Sequence, residues 1–257
     1  MGPDFLSQII EYKQHLITKQ KQYRSESSLR NDAEKCLTHR PFIKAMENIE
    51  DTIHIIAEIK RASPSKGLIQ PDLIASDYAA AYERGGASAI SVLTEDHWFK
   101  GSNKDLTDAR EASTLPVLRK DFTISTYQIF ESALIGADAI LLIVRILSKI
   151  QLRDYLDLCA ELNIDSLVEI HTQDDIKKMK DSGARLIGIN NRNLKSFDTD
   201  IDTAIDLVSG LAPDQIPVAA SGITTKDDIE KTRKAGINHF LIGESICLLY
   251  TSPSPRD

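Results

Sequence analysis

The chain has 257 residues, with 31 Lys and Arg against 38 Asp and Glu, a formal net charge of −7, and 42% hydrophobic residues. That length fits one large domain, and the composition is globular rather than disordered or fibrous. The acidic balance argues against a broad basic surface for nucleic acid but leaves room for an anion held by local lysines.

No apolar run reaches the roughly 18 residues of a membrane-spanning helix, and the N-terminus lacks the apolar core of a signal peptide. Three unclustered cysteines (Cys36, Cys159, Cys247) and six histidines without H-x-x-x-H spacing offer no zinc pattern. No metal, nucleic-acid or membrane partner is therefore expected, and the unclustered thiols fit a cytoplasmic protein.

In chain order, residues 5–21 and 27–48 read as helical. They form an N-terminal extension, 1–50, that is expected to cover a barrel end. Short apolar runs then recur at 53–59, 89–93, 116–118, 139–144, 166–170, 186–189, 216–219 and 239–242. Each is continuous rather than alternating, as parallel strands covered on both faces should be. Stretches with helical spacing lie between them, such as Leu73, Ile74, Tyr78, Ala81 and Tyr82, or Leu152, Tyr155, Leu156, Leu158, Cys159 and Leu162. Several end in glycine just before the next strand (Gly85-Gly86, Gly136, Gly183, Gly236), which suits a left-handed helix C-cap. Eight strands with helical connections predict a (β/α)8 TIM barrel, a single domain spanning 1–257, with a doubly wound sheet as the alternative.

A barrel of this kind places its site at the C-terminal ends of the strands. Alternation points Glu58 and Lys60 the same way at the end of the first strand. The third strand ends in Arg119-Lys120-Asp121, the fifth in Glu169-Ile-His171, and the sixth in Asn190-Asn-Arg192. One polar strand end alone reads as a solvated terminus or a helix cap. Inward Lys and Glu side chains from three strands need partners, neutralisation or a ligand, because isolated buried charges are costly. Ser221-Gly222 and Gly243-Glu244 follow the last two strands, where barrels hold a phosphoryl group on backbone N–H groups.

Ile56-Ala-Glu-Ile-Lys-Arg-Ala-Ser-Pro-Ser-Lys-Gly67 resembles the signature segment of the indole-3-glycerol phosphate synthase family. So do Ser91-Val-Leu-Thr-Glu-Asp-His-Trp-Phe-Lys-Gly-Ser102, Leu118-Arg-Lys-Asp-Phe122, Leu141-Leu-Ile-Val144, Val168-Glu-Ile-His171, Gly188-Ile-Asn-Asn-Arg-Asn-Leu194 and Phe240-Leu-Ile-Gly-Glu-Ser245. The likeness spans roughly residues 5–246. It implies a barrel with an N-terminal helical extension. It also implies ring closure, with loss of carbon dioxide and water, of 1-(2-carboxyphenylamino)-1-deoxyribulose 5-phosphate in tryptophan biosynthesis.

By the same resemblance Lys120 is the general acid at the ribulose carbonyl, and Glu169 assists the later proton transfers. Lys60, oriented by Glu58, holds the anionic substrate, and Asn190 positions the reacting chain. Arg192 takes the anthranilate carboxylate, Ser63 and Phe99 line the pocket, and Ser221, Gly222, Gly243 and Glu244 hold the phosphate. No cofactor is implied, and the expected partner is a phosphorylated small molecule. The oligomeric state is open, with a monomer expected.

Two departures from the family pattern stand out. Ala220-Ser-Gly222 replaces the usual Glu-Ser-Gly. The tail 247–257, with Pro253 and Pro255 and no helical period, cannot form an eighth helix. It looks like one reading frame of a sequencing-library adapter, so a non-native tail replacing the eighth helix is expected. The rival readings are another phosphate-binding barrel enzyme, a sugar-phosphate isomerase or a Schiff-base aldolase, and a non-catalytic phosphate-binding barrel.

Overall fold

The computed structural model describes residues 4–36, 39–47, 52–193 and 197–243. Its centre is a closed barrel of eight parallel strands. They are β1 (His54–Ile59), β2 (Ala89–Leu93), β3 (Val117–Lys120), β4 (Ala139–Ile143), β5 (Asp165–Ile170), β6 (Leu186–Asn190), β7 (Ile216–Ala220) and β8 (His239–Ile242). Strand β1 closes the ring by pairing with β2 on one side and β8 on the other. All eight fall where the apolar runs predict them, shifted at their ends by a residue or two.

Helices α1 (Phe5–Tyr23), α2 (Glu26–Ala33) and the single turn α3 (Phe42–Ala45) precede the barrel. Each of the first seven strands is followed by a helix: α4 (Ala75–Arg84), α5 (Asn103–Glu111), α6 (Thr126–Leu134), α7 (Lys149–Glu161), α8 (Gln173–Met179), α9 (Asp202–Val208) and α10 (Lys226–Lys234). Whatever follows Gly243, including Glu244 and the tail 247–257, lies outside the described residues. Among those described, no helix is long and apolar enough to cross a membrane.

Local chemistry accounts for the helix ends. Ser148, Thr172 and Thr225 build capping boxes with Gln151, Asp175 and Asp228. Gly86, Gly136, Gly183 and Gly236 all have φ between 80 and 91°, the left-handed turn expected before a returning strand. The stripe on α7 is buried or half-buried as predicted. On α4, Ile74 is the N-cap and is 57% exposed, so the buried face there runs through Leu73, Tyr78, Ala79 and Tyr82 instead.

The segment 27–48 is not continuously helical. Helix α2 stops at Ala33, and Pro41, which lacks an N–H and disfavours helical backbone at Arg40, begins a separate turn. That break carries residues 39–47 across the N-terminal end of the barrel. The Arg40 and Ile43 N–H groups donate to Asp138 and Asp165 (2.7 and 2.8 Å), and the His239 ring donates to the Met46 carbonyl (2.7 Å). Phe42 and Met46 plug the barrel interior against Ile56, Leu118, Leu167 and Leu186, a burial contributing about 1.5–3 kcal/mol for each of the two side chains. The extension covers both barrel ends, because α1 lies across the opposite, C-terminal one.

Candidate active site

Strand alternation builds the site directly above that plug. Ile56 and Glu58 share the inner face of β1, Leu118 and Lys120 that of β3, Leu167 and Glu169 that of β5, and Leu186, Gly188 and Asn190 that of β6. The apolar member of each set fills the barrel, and the polar member lines a cavity of about 370 Å³ at its C-terminal mouth.

Two Lys–Glu pairs form there. Lys60 Nζ lies 2.9 Å from Glu58 Oε2, and Lys120 Nζ lies 3.5 Å from Glu169 Oε2. All four side chains are at most 17% exposed. Burial alone would raise both carboxyls. For Glu58 the ammonium groups of Lys60 and Lys120 outweigh it and hold the carboxyl below its ordinary value. For Glu169 Lys120 again dominates, helped by the hydrogen bond from Asn190, and the direction is the same. Both acids are therefore carboxylates at neutral pH, facing the Lys60 and Lys120 side chains in a largely buried pocket.

The Asn190 amide is committed at both ends. Its Nδ2 donates to Glu169 Oε1 (3.2 Å), and its Oδ1 accepts from the Arg192 N–H (3.0 Å). It therefore orients Glu169 in the resting site. Arg192 reaches the same cavity, with its guanidinium donating to the Phe197 carbonyl (3.0 Å). Ser63 and Phe99 line the wall as expected, Phe99 tilted against Phe122 at 6.2 Å between centroids.

Ser221 and Gly222, both left-handed (φ 65 and 75°), line the side below Thr224. At the N-terminus of α10, Asp228 accepts from the Thr224 and Thr225 N–H groups (2.9 and 2.8 Å). Gly243 has a second role. A Cβ at that position would stand 3.0 Å from Glu58 Cβ and collide with its carboxylate. Glycine is what lets Glu58 turn toward Lys60. Glu244 lies outside the described residues.

Helix α1 roofs the cavity with Phe5, Leu6 and Ile9, and Phe5 packs edge-on against Phe197 and Trp98. One turn beyond Ile9, Lys13 is buried and salt-bridged to Asp121 at 2.7 Å, each side chain 3% exposed. Asp121 also accepts from the Thr94 hydroxyl (2.9 Å) and the Phe122 N–H (2.8 Å) and lies 3.4 Å from Arg119. The roof is thus latched to the residue next to Lys120. Sequence reasoning missed this latch and the apolar walls Leu93, Phe122, Leu141 and Ile143. The signal for the latch was a lysine in the middle of the buried stripe Ile9, Lys13, Ile17. The walls alternate with visible strand residues, but an apolar residue at a strand end looks the same as core.

A sequence model of the indole-3-glycerol phosphate synthase family matches residues 6–249. The chain belongs to that family. It is 53% identical over 245 residues to an indole-3-glycerol phosphate synthase of Desulfosudis oleivorans, covering 95% of this chain and 93% of the relative. It is 46% identical to one of Syntrophobacter fumaroxidans, covering 98% and 95%. A solved N-acetylmannosamine-6-phosphate 2-epimerase from Clostridium perfringens superposes with a TM-score of 0.59 at 14% identity, covering 76% and 87% of the two chains, a likeness of fold alone. Against the family pattern, Ala220 leaves the end of β7 without a carboxylate. It is buried and lines the cavity beside its register partner Asn190.

Proposed function

We propose that this chain closes the indole ring of 1-(2-carboxyphenylamino)-1-deoxyribulose 5-phosphate to give indole-3-glycerol phosphate, the family's step in tryptophan biosynthesis. The observation that carries this reading is the convergence of two Lys–Glu pairs in one roofed cavity.

The chemistry sets the demands. The ring carbon bearing the carboxylate attacks C2 of the ribulose chain, whose oxygen takes a proton and becomes a hydroxyl. Carbon dioxide then leaves, and its bonding electron pair restores the aromatic ring. The hydroxyl takes a second proton and departs as water, while the carbon beside nitrogen releases one. Two protons enter and one leaves, so each turnover draws one proton from solvent.

Lys120 suits the first donation, as an ammonium pointing into the cavity. Glu169, a carboxylate within reach of Lys120, takes the proton from carbon and returns it to the departing hydroxyl. Lys60 and Arg192 receive the substrate's negative charges, Arg192 with a bidentate fork for the carboxylate. Phe99, Phe122 and Leu141 accommodate the aromatic ring, and the Ser221–Gly222 backbone with Gly243 cradles the phosphate. The free thiols Cys36 and Cys159 support a reducing, cytoplasmic setting.

The test is stoichiometric. Purified protein incubated with this substrate should release carbon dioxide and indole fluorescence in equal amounts. Substrate consumption without either product would refute the assignment.

A further inference from the structure

The proposed reaction consumes a solvent proton, and Lys120 must be recharged after each turnover. Phe5, Leu6 and Ile9 of α1 line the mouth of the cavity, so bound substrate would narrow the proton's entry from the front. A second route lies behind Glu169. One carboxylate oxygen of Glu169 faces Lys120 (3.5 Å), and the other faces His171 Nε2, also at 3.5 Å.

His171 follows the end of β5, two residues beyond Glu169. Its side chain is 5% exposed, and both ring nitrogens are buried without a hydrogen-bond partner among the described residues. Buried polar atoms left unpaired call for an explanation. His171 also lines an open side cleft of about 670 Å³, walled by Arg145, Thr172, Asn191 and Asp200, which among the described residues shares Asn190 and Arg192 with the main cavity.

We propose that His171 is a proton-relay residue that passes a solvent proton from this side cleft to Glu169, and through it to Lys120, once per turnover. Acting through Glu169, it is a positioning residue and not a group that touches substrate. The inference rests on the ring-closing reaction proposed above.

The step balances within the imidazole. A turn of the ring brings the buried Nδ1 to the cleft, where a hydronium ion gives it a proton and becomes water as Nε2 releases its own to Glu169 Oε1. The Glu169 carboxyl turns about Cγ–Cδ, releasing Asn190 and bringing the protonated oxygen to the neutral amine of Lys120, which takes the proton. Exchange with cleft water, one proton lost from Nδ1 and one gained at Nε2, restores the starting tautomer. The groups facing the imidazole are Glu169 on β5, Lys120 on β3, Arg145 after β4 and Asp175 on α8. Burial first, and the cations Arg145 and Lys120 after it, outweigh the two carboxylates and keep the ring neutral near pH 7. A neutral imidazole can accept at one nitrogen while donating at the other, which a relay requires.

The experiment compares wild type, His171→Gln and His171→Ala at saturating substrate, with and without added imidazole, and with melting temperatures recorded. The relay predicts a kcat lower by about 10- to 100-fold in both variants, KM changed by less than about twofold, and imidazole restoring much of the kcat of His171→Ala. A kcat unchanged in both variants would overturn it. So would a loss that imidazole does not rescue, or one that tracks a raised KM and lowered melting temperature, since each means a packing role. Wild-type protein that forms no indole product at all would instead count against the reaction itself.

Discussion

Replacing Lys13 by Met tests how the roof is held over the site. Methionine keeps most of the lysine's volume and removes only the charge, so little cavity cost enters. Lys13 and Asp121 are both 3% exposed at 2.7 Å, and removing one partner of such a buried pair costs about 3–5 kcal/mol. Asp121 would retain the Thr94 hydroxyl, the Phe122 N–H and the more distant Arg119, which places the loss near the lower end, about 3 kcal/mol. With a urea m-value of about 3 kcal/mol/M for a chain this long, the unfolding midpoint should fall by about 1 M. Lys13→Met combined with Asp121→Asn should recover part of that fall, because the stranded carboxylate is gone. A single-variant shift below about 0.2 M, or a double variant no more stable than Lys13→Met, would refute the reasoning.

Gly243→Ala should push the Glu58 carboxylate away from Lys60 and cost up to about 100-fold in kcat/KM at nearly unchanged melting temperature, measured by steady-state kinetics. Unchanged kinetics would show that the Glu58–Lys60 contact is dispensable. His54 and His239, stacked at 4.9 Å, are both held below their ordinary value by burial. Their stability contribution is full above the unfolded value of about 6.5 and is lost as pH falls through the lower folded value. The urea midpoint should therefore drop between pH 7 and 5, and by less in His239→Gln; an equal drop in both proteins would contradict this. Ala220→Glu, which restores the family's carboxylate beside Asn190, should raise kcat or leave it unchanged, and a large loss would mean the ring is organised differently here.

The barrel was legible because eight buried strands leave eight continuous apolar runs, and the αβ glycines mark the returns between them. Glu58, Lys60, Lys120, Glu169 and Asn190 were legible for the complementary reason, as polar groups at the ends of runs that should have none. The roof was not. Phe5, Leu6 and Ile9 meet the barrel only through the tertiary path of α1, and no local period records what a helix covers. Pro41 was a visible breaker inside 27–48. The helical pattern of residues 27–36 obscured it, along with the use of residues 39–47 as a plug. The second role of Gly243 needed coordinates, since only they place Glu58 against it.

The central claim is that the two Lys–Glu pairs do the chemistry. It is tested most directly by Lys120→Met and Glu169→Gln in single-turnover experiments with saturating enzyme, following indole fluorescence. Each variant should still bind the substrate while losing at least about 100-fold in the rate of product formation. A Lys120→Met protein that forms indole-3-glycerol phosphate within about tenfold of the wild-type rate would contradict the account.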